Sequence, residues 1–198
     1  MNKGSVVKSF LAIIAVSLLL VLVVFYQLKE QLNQPLHLQE PQLLTVVEGQ
    51  YAHAILNQLK NDGLLAQNIA LKVLLKVKPK LAKVRLGTYQ LIPGMTGVDV
   101  LELLSSGAEK QFSISLVEGL RWRDWVTQIT QHPTLVVLPS FNSFIEELQN
   151  NVHGGSLEGW LMPDTYFFTN GTNATEIVQR AYNDMDEYLD QAWEMRAL

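Results

Sequence analysis

The feature that most constrains this chain is an uncharged apolar run near its N terminus. From Phe10 to Tyr26 the sequence reads FLAIIAVSLLLVLVVFY, in which Ser17 is the sole polar residue. The run lies at the short end of the roughly 17 to 25 residues that a membrane-spanning helix needs, and Lys8 in front of it can reach the headgroups. It therefore predicts a single transmembrane helix over residues 10–26.

The flanking charges predict the orientation of this helix. Lys3 and Lys8 precede the run without any acidic residue. By the positive-inside rule, residues 1–9 form a cytoplasmic tail and everything after Tyr26 is exported. A cleaved signal peptide, the alternative, ends its apolar region within about 15 residues and offers a small-residue cleavage site. This run is longer than the apolar region of a signal peptide, and it ends with the large residues Phe25 and Tyr26 where a cleavage site has small ones. We therefore favour an uncleaved signal anchor.

Composition and motifs exclude several classes of chemistry. The chain has no cysteine, which rules out disulfides, thiolate zinc sites and cysteine nucleophiles. No nucleophile elbow, zincin motif, P-loop or dinucleotide-binding glycine pattern occurs. The four histidines are scattered without metal-ligand spacing, at His37, His53, His132 and His153. We therefore predict neither a metal nor a cofactor.

The exported part begins with a predicted linker and continues as short strand–turn–helix units. Residues 27–42 are polar, rich in glutamine and broken by Pro35 and Pro41, which is typical of a tether. Three apolar strands follow, each leading through a glycine turn into an amphipathic helix; they are predicted at 43–47, 88–92 and 112–117. The first helix starts near Tyr51 with Ala54, Ile55 and Leu59 on one face.

Further capping and helix signals complete the predicted order of elements. Thr96 and Asp99 form a capping-box pattern, and Gly107 supplies a C-terminal cap. Another helix is predicted from residue 67 to 77, which makes the order from 43 to 92 strand, helix, helix, strand. A last helix begins near Thr175, capped by Asn173 or Thr175, and meets no stop signal before the chain ends. The fold class is therefore α+β.

Charge is unevenly distributed along the chain. Between residues 63 and 98 there are six basic residues and no acidic one: Lys72, Lys76, Lys78, Lys80, Lys83 and Arg85. The interpretation that needs the fewest assumptions is that these lysines form a solvated face. Anionic lipid headgroups or a charged wall polymer are the alternative partners, since the short tether keeps this region near the bilayer. Nucleic acid is not expected as a partner outside the membrane.

One short segment carries a possible chemical signature. The sequence LEGWLMPDTYFF at 157–168 contains two carboxylates and two aromatic residues that suit sugar binding: Glu158, Trp160, Asp164 and Tyr166. Glu158 and Asp164 could be the paired carboxylates of a glycosidase. Six residues across a proline fix no geometry, however, so sugar contact and structural packing remain open as alternatives.

This segment and two others resemble the endolytic murein transglycosylases of the YceG-like family. The other two are LVEGLRWRDW at 116–125 and RLGTYQLIPGMTGVDVLELLSSG at 85–107. The resemblance implies a bacterial inner-membrane protein with one N-terminal anchor. Its N terminus would lie in the cytoplasm and most of the chain in the periplasm. It further implies a LysM-like module at 43–110 and the start of a catalytic region at 111–198. Peptidoglycan glycan strands would be the substrate and cell-wall synthases candidate partners.

The resemblance also implies what this chain lacks. Such enzymes cut between N-acetylmuramic acid and N-acetylglucosamine with one glutamate as general acid, while the sugar's own 6-hydroxyl attacks and leaves a 1,6-anhydro end. The family places that glutamate beyond the position of Leu198, so no catalytic residue is assigned and Glu118 and Glu158 do not fill the role. Two hypotheses follow: a truncated transglycosylase, inactive alone, or a non-catalytic, membrane-tethered module that binds glycan or a partner.

Overall fold

The computed structural model of the protein describes residues 3–196. The chain divides into two compact units, one ending at Glu109 and the other beginning at Lys110. Each mixes helices with one small antiparallel sheet. Mixed helix and strand content is what the sequence predicts. We describe the units one at a time.

The first unit starts with a long helix and continues as a strand–helix–helix–strand arrangement. Its elements are α1 (Lys3–Leu32), β1 (Gln42–Val46), α2 (Ala52–Asn61), α3 (Ile69–Val77), a 3-10 turn (Pro79–Ala82), β2 (Gly87–Leu91) and α4 (Gly97–Ser106). β1 and β2 pair antiparallel, with Leu44 opposite Tyr89. Within α1, Ile13–Leu32 is long and apolar enough to cross a membrane, with a mean hydropathy of 2.0. The predicted order of elements from 43 to 92 is therefore present.

The core of the first unit is formed by aliphatic side chains from every one of its elements after α1. Each amphipathic helix turns its apolar stripe toward the sheet. Among the completely buried side chains are Ile55, Leu56, Leu59, Tyr89, Leu91, Leu101 and Leu104. The predicted inward face of α2 is wrong at one position, since Ala54 is exposed and Ala52 and Leu56 are buried instead.

The predicted linker 27–42 is not a solvated tether along its whole length. Its first residues continue α1 to Leu32, and Leu36 and Leu38 are only 4% and 8% exposed. The backbone N–H of Leu36 donates to Met95 O at 2.7 Å, and that of His37 donates to Leu64 O at 2.9 Å. In an extended chain, alternate side chains share a face, so the two leucines enter the core together. Composition concealed this pattern because polar residues surround it.

Helix α4 shows how local sequence fixes an element. Thr96 Oγ1 accepts from Asp99 N at 3.2 Å, and Asp99 Oδ2 accepts from Thr96 N at 2.7 Å, which is a complete capping box. Gly107 ends the helix in the left-handed region at φ 75°. The predicted capping box and C-terminal cap are therefore confirmed.

The second unit also builds a two-stranded sheet against helices. Its elements are β3 (Phe112–Ser115), α5 (Trp122–Thr130), α6 (Phe141–Asn151), a 3-10 turn (His153–Gly155), β4 (Thr165–Phe168) and α7 (Ala174–Glu194). β3 and β4 pair antiparallel, with Ile114 opposite Tyr166. The sequence interpretation missed α6 and did not recognise β4. The core contains residues such as Ile129, Leu157, Leu161, Ile177, Val178 and Ala181.

Helix α7 begins as predicted but ends sooner. Asn173 Oδ1 accepts from Thr175 N at 3.1 Å, so Asn173 is the cap. The expectation that the helix runs on without a stop is wrong within the described residues, because α7 ends at Glu194. Positions 197 and 198 lie outside these residues. Trp193 is exposed, so packing within the unit does not hold the last turn.

Candidate functional site

Two turns of the same composition lie side by side in the second unit. Each consists of a glutamate followed by a glycine: Glu118 with Gly119, and Glu158 with Gly159. Both glycines adopt positive φ, at 86° and 79°. Residues with a Cβ rarely adopt this conformation, so glycine is what allows each chain to turn sharply behind its glutamate.

An open groove of about 290 Å³ lies between these turns. Its polar lining comes from Glu118, Arg121 and Glu158. Its apolar lining comes from Leu120, Trp125, Leu161, Pro163 and Met185. This volume lies just below the usual range for small-molecule sites, about 300 to 1,000 Å³, so the groove fits part of a larger ligand better than a whole one.

Glu158 is held at the N-terminal end of α5. Its Oε2 accepts from the backbone N–H of Trp122 at 3.4 Å, and its own N–H donates to Ser156 Oγ at 3.3 Å. The first N–H groups of a helix have no partner within the helix, and the helix dipole favours a negative charge beside them. The contact therefore ties the second Glu-Gly turn to the helix that follows the first.

Arg121 supplies positive charge on the same rim. Its Nε lies 3.2 Å from Asp124 Oδ2, forming an exposed ion pair. The hydrogen bond from Arg121 lowers the pKa of the Asp124 carboxyl. The pKa of Arg121 is raised, first by its hydrogen bond to Asp124, and the charge of Glu158 contributes in the same direction. The groove thus presents a cation next to carboxylates.

Trp125 forms the floor of the groove and is fixed by a hydrogen bond. Its Nε1–H donates to Val117 O at 3.0 Å, just before the first Glu-Gly turn. The side chain is buried within the core of the unit. Only 7% of Trp125 is exposed, so the part of the indole that lines the groove is small but rigid and loses no conformational freedom when a ligand binds.

The structure separates the four residues that the sequence put forward. Glu158 lines the groove, whereas Trp160 stacks on Tyr182 with 6.4 Å between ring centroids. Asp164 is exposed: its Oδ1 accepts from Thr165 N at 2.6 Å and its backbone O from Leu116 N at 2.9 Å. Tyr166 is buried and donates its hydroxyl to Met162 O at 2.9 Å.

Packing accounts for these positions. Burial raises the pKa of Tyr166, with Asp184 adding to the effect, which keeps the hydroxyl protonated as a donor. The backbone N–H of Met162 donates to Ala181 O at 2.8 Å and joins the loop to α7. In this arrangement Trp160, Asp164 and Tyr166 shape the loop that carries Glu158. A substrate role for these residues stays a prediction.

Sequence reasoning did not include Arg121 or Met185 among the binding candidates, and it named Glu118 only to exclude it as the catalytic glutamate. Glu118 carried a signal that it shares with two other positions, since the dipeptide Glu-Gly occurs at 48–49, 118–119 and 158–159. Met185 carried no such signal, because the folding of α7 against the unit brings it to the groove. Within residues 3–196, no three His, Asp or Glu side chains come close enough to hold a metal ion.

Comparison with known proteins identifies the family. The model of the YceG-like family matches residues 44–197, which is most of the chain. The chain belongs to the YceG-like family. This confirms the resemblance carried by the three segments at 85–107, 116–125 and 157–168. The matched range includes both Glu-Gly turns and, apart from the first two residues of β1, the strand–helix–helix–strand arrangement of this YceG-like chain.

A solved structure of a yceG-like protein from Listeria monocytogenes is similar to the chain. The identity is 16%, the TM-score is 0.38, and the alignment covers 78% of this chain. The chain spans 57% of the length of that protein. No curated protein sequence matches the chain.

Proposed function

We propose that this YceG-like protein takes part in endolytic cleavage of peptidoglycan glycan strands and that the groove between the two Glu-Gly turns binds the strand. The observation that carries the proposal is the convergence of Glu118, Arg121 and Glu158 on one rigid aromatic floor. Carboxylates accept hydrogen bonds from sugar hydroxyls, a guanidinium donates to acetamido or carboxylate oxygens, and the apolar walls cover the sugar ring.

The groove suits binding better than the chemical step. Both glutamates are exposed in an open groove, whereas general acids of glycosidases work in sites that exclude water and raise the acid's affinity for its proton. We therefore assign Glu118 and Glu158 to strand binding and no residue to catalysis. The lyase reaction that yields 1,6-anhydro ends stays part of the proposal for the whole protein.

We further propose that α1 anchors the protein in a bacterial inner membrane, with the N terminus in the cytoplasm and the two units in the periplasm. An apolar segment of 20 residues supports the anchor, and Lys3 and Lys8 in front of it support the orientation. The LysM-like assignment of residues 43–110 belongs to the same proposal, and its support is the antiparallel β1–β2 pair with two helices between the strands.

A binding and digestion assay tests the groove. The purified chain is mixed with glycan strands from peptidoglycan, and retention is compared among the wild type, E118Q/E158Q and the control E146Q/E147Q. The control pair lies on the exposed surface of α6. A hydrogen bond to a charged group contributes about 1.5 to 3 kcal/mol, so each lost groove contact weakens binding roughly tenfold or more.

Two results would contradict the proposal. Equal retention of E118Q/E158Q and the control would show that the groove does not bind the glycan strand. Appearance of 1,6-anhydro products with this chain alone would show that the catalytic group is already present, contrary to the assignment of both glutamates to binding. We expect no such products from the 198-residue chain.

A further inference from the structure

An apolar groove runs between α1 and α3 in the first unit. Its volume is about 360 Å³, and Lys29 is its only polar lining residue. The other lining residues are Phe25, Leu28 and Leu32 of α1 and Ala70, Val73, Leu74 and Val77 of α3. Helix α3 therefore lies beside the last turns of the apolar segment of α1, which ends at Leu32.

The exposed face of α3 is unusually apolar for a helix that faces water. Ile69 and Val77 are 60% and 72% exposed, and Val73 lies between them at 43%. These three residues follow one another at helical spacing, so they form a strip along the helix next to the groove. Adjoining apolar surface from two elements marks a site that something other than water covers.

Charge indicates what covers it. Lys72 and Lys76 border the strip on α3, and Lys78, Lys80 and Lys83 follow directly after the helix. No acidic residue occurs between positions 63 and 98. A helix with an apolar strip flanked by lysines suits the boundary between headgroups and acyl chains, where lysine stems lie along the apolar layer and the ammonium groups meet phosphates.

We propose that the α3 strip, Ile69, Val73 and Val77, docks on the anionic surface of the membrane that α1 spans, and the proposal rests on the proposed anchoring by α1. Phe25 and Tyr26 mark the expected interface level of α1, and α3 packs at that level through Phe25 and Leu28. The bilayer is therefore the surface nearest to the strip, and the lysines match its charge.

Site-specific fluorescence in vesicles tests the docking. The chain has no cysteine, so V77C, V47C and V23C each provide one labelling position in the full chain. Val47 is the matched control, an exposed valine of the same unit at 54% exposure. The chain is reconstituted into vesicles of phosphatidylglycerol and phosphatidylcholine that carry a shallow nitroxide-lipid quencher, and label quenching is measured.

We expect strong quenching at positions 77 and 23 and weak quenching at position 47. Each lysine near an anionic surface contributes about fivefold to the docked population, so K72Q/K76Q lowers the ratio of docked to undocked chains roughly 25-fold. The control K60Q/K110Q, outside the basic stretch, leaves quenching at position 77 unchanged. Vesicles of phosphatidylcholine alone lower quenching at position 77 at least as far as K72Q/K76Q does, because they remove the attraction of all five lysines.

The outcomes separate the docking from the anchor. Quenching at position 23 with no more quenching at 77 than at 47 overturns the docking while the anchor stands. Protection of position 77 from aqueous iodide without quenching by lipid means that a protein covers the strip, which also overturns it. Absence of quenching at both 23 and 77 refutes the anchor and, with it, the docking.

Discussion

Replacing Leu36 by alanine tests whether the segment after α1 belongs to the folded core of the first unit. Leu36 is 4% exposed and its backbone N–H donates to Met95 O at 2.7 Å. Truncating a buried leucine to alanine costs about 2 to 5 kcal/mol, because apolar contact is lost and a cavity remains. A passive tether would instead tolerate the change within about 0.5 kcal/mol.

Urea unfolding of a fragment covering residues 27–109 gives the measurement. The buried core residues of this unit all lie between Leu36 and Leu104, so the fragment keeps them. Far-UV circular dichroism reports the transition, because all four tryptophans lie outside this fragment. With a urea slope of about 1 kcal/mol per M for a fragment of this size, a loss of about 3 kcal/mol lowers the midpoint by about 3 M.

Two further variants keep this test decisive. If L36A leaves too little folded protein, L36V removes less volume and is expected to cost about 1 kcal/mol. L43A is the matched control, since Leu43 on β1 is 54% exposed and its truncation is expected to change stability by less than about 0.5 kcal/mol. Equal midpoints for L36A and L43A would refute the placement of Leu36 in the core.

Two other predictions concern single contacts. T96A removes the hydroxyl that caps α4 and is expected to cost about 1 kcal/mol in urea unfolding of the same fragment; an unchanged midpoint would contradict the capping box. Because burial raises the pKa of Tyr166 above that of the unfolded chain, stability of the second unit is full below pH about 10 and falls as the pH rises further. Tryptophan fluorescence should show that Y166F flattens this decline while costing about 1 kcal/mol at neutral pH through the lost bond to Met162 O; an equally steep decline in Y166F would contradict it.

The elements found from sequence are those with strong local signals. α4 is bounded by Thr96, Asp99 and Gly107, and α7 begins at Asn173, because capping groups act within a few residues of one another. α1 was equally accessible, since an uninterrupted apolar run needs no tertiary partner to be recognised. Helix α6 was missed although Phe141, Ile145 and Leu148 lie at helical spacing. Strand β4 has only four residues, and its pairing partner β3 lies far away in the chain.

Sequence alone determined the apolar segment that is long enough to cross a membrane, the mixed helix and strand content and the family resemblance, and it put forward the segment around Glu158 as a candidate site. It could not decide which polar residues meet. Tertiary structure brought Glu118, Arg121 and Glu158 to one groove, turned Tyr166 into the core and drew Leu36 into the first unit. The physical reason is range: caps and apolar runs act between neighbours in the chain, whereas a groove between turns 40 residues apart exists only after the chain has folded.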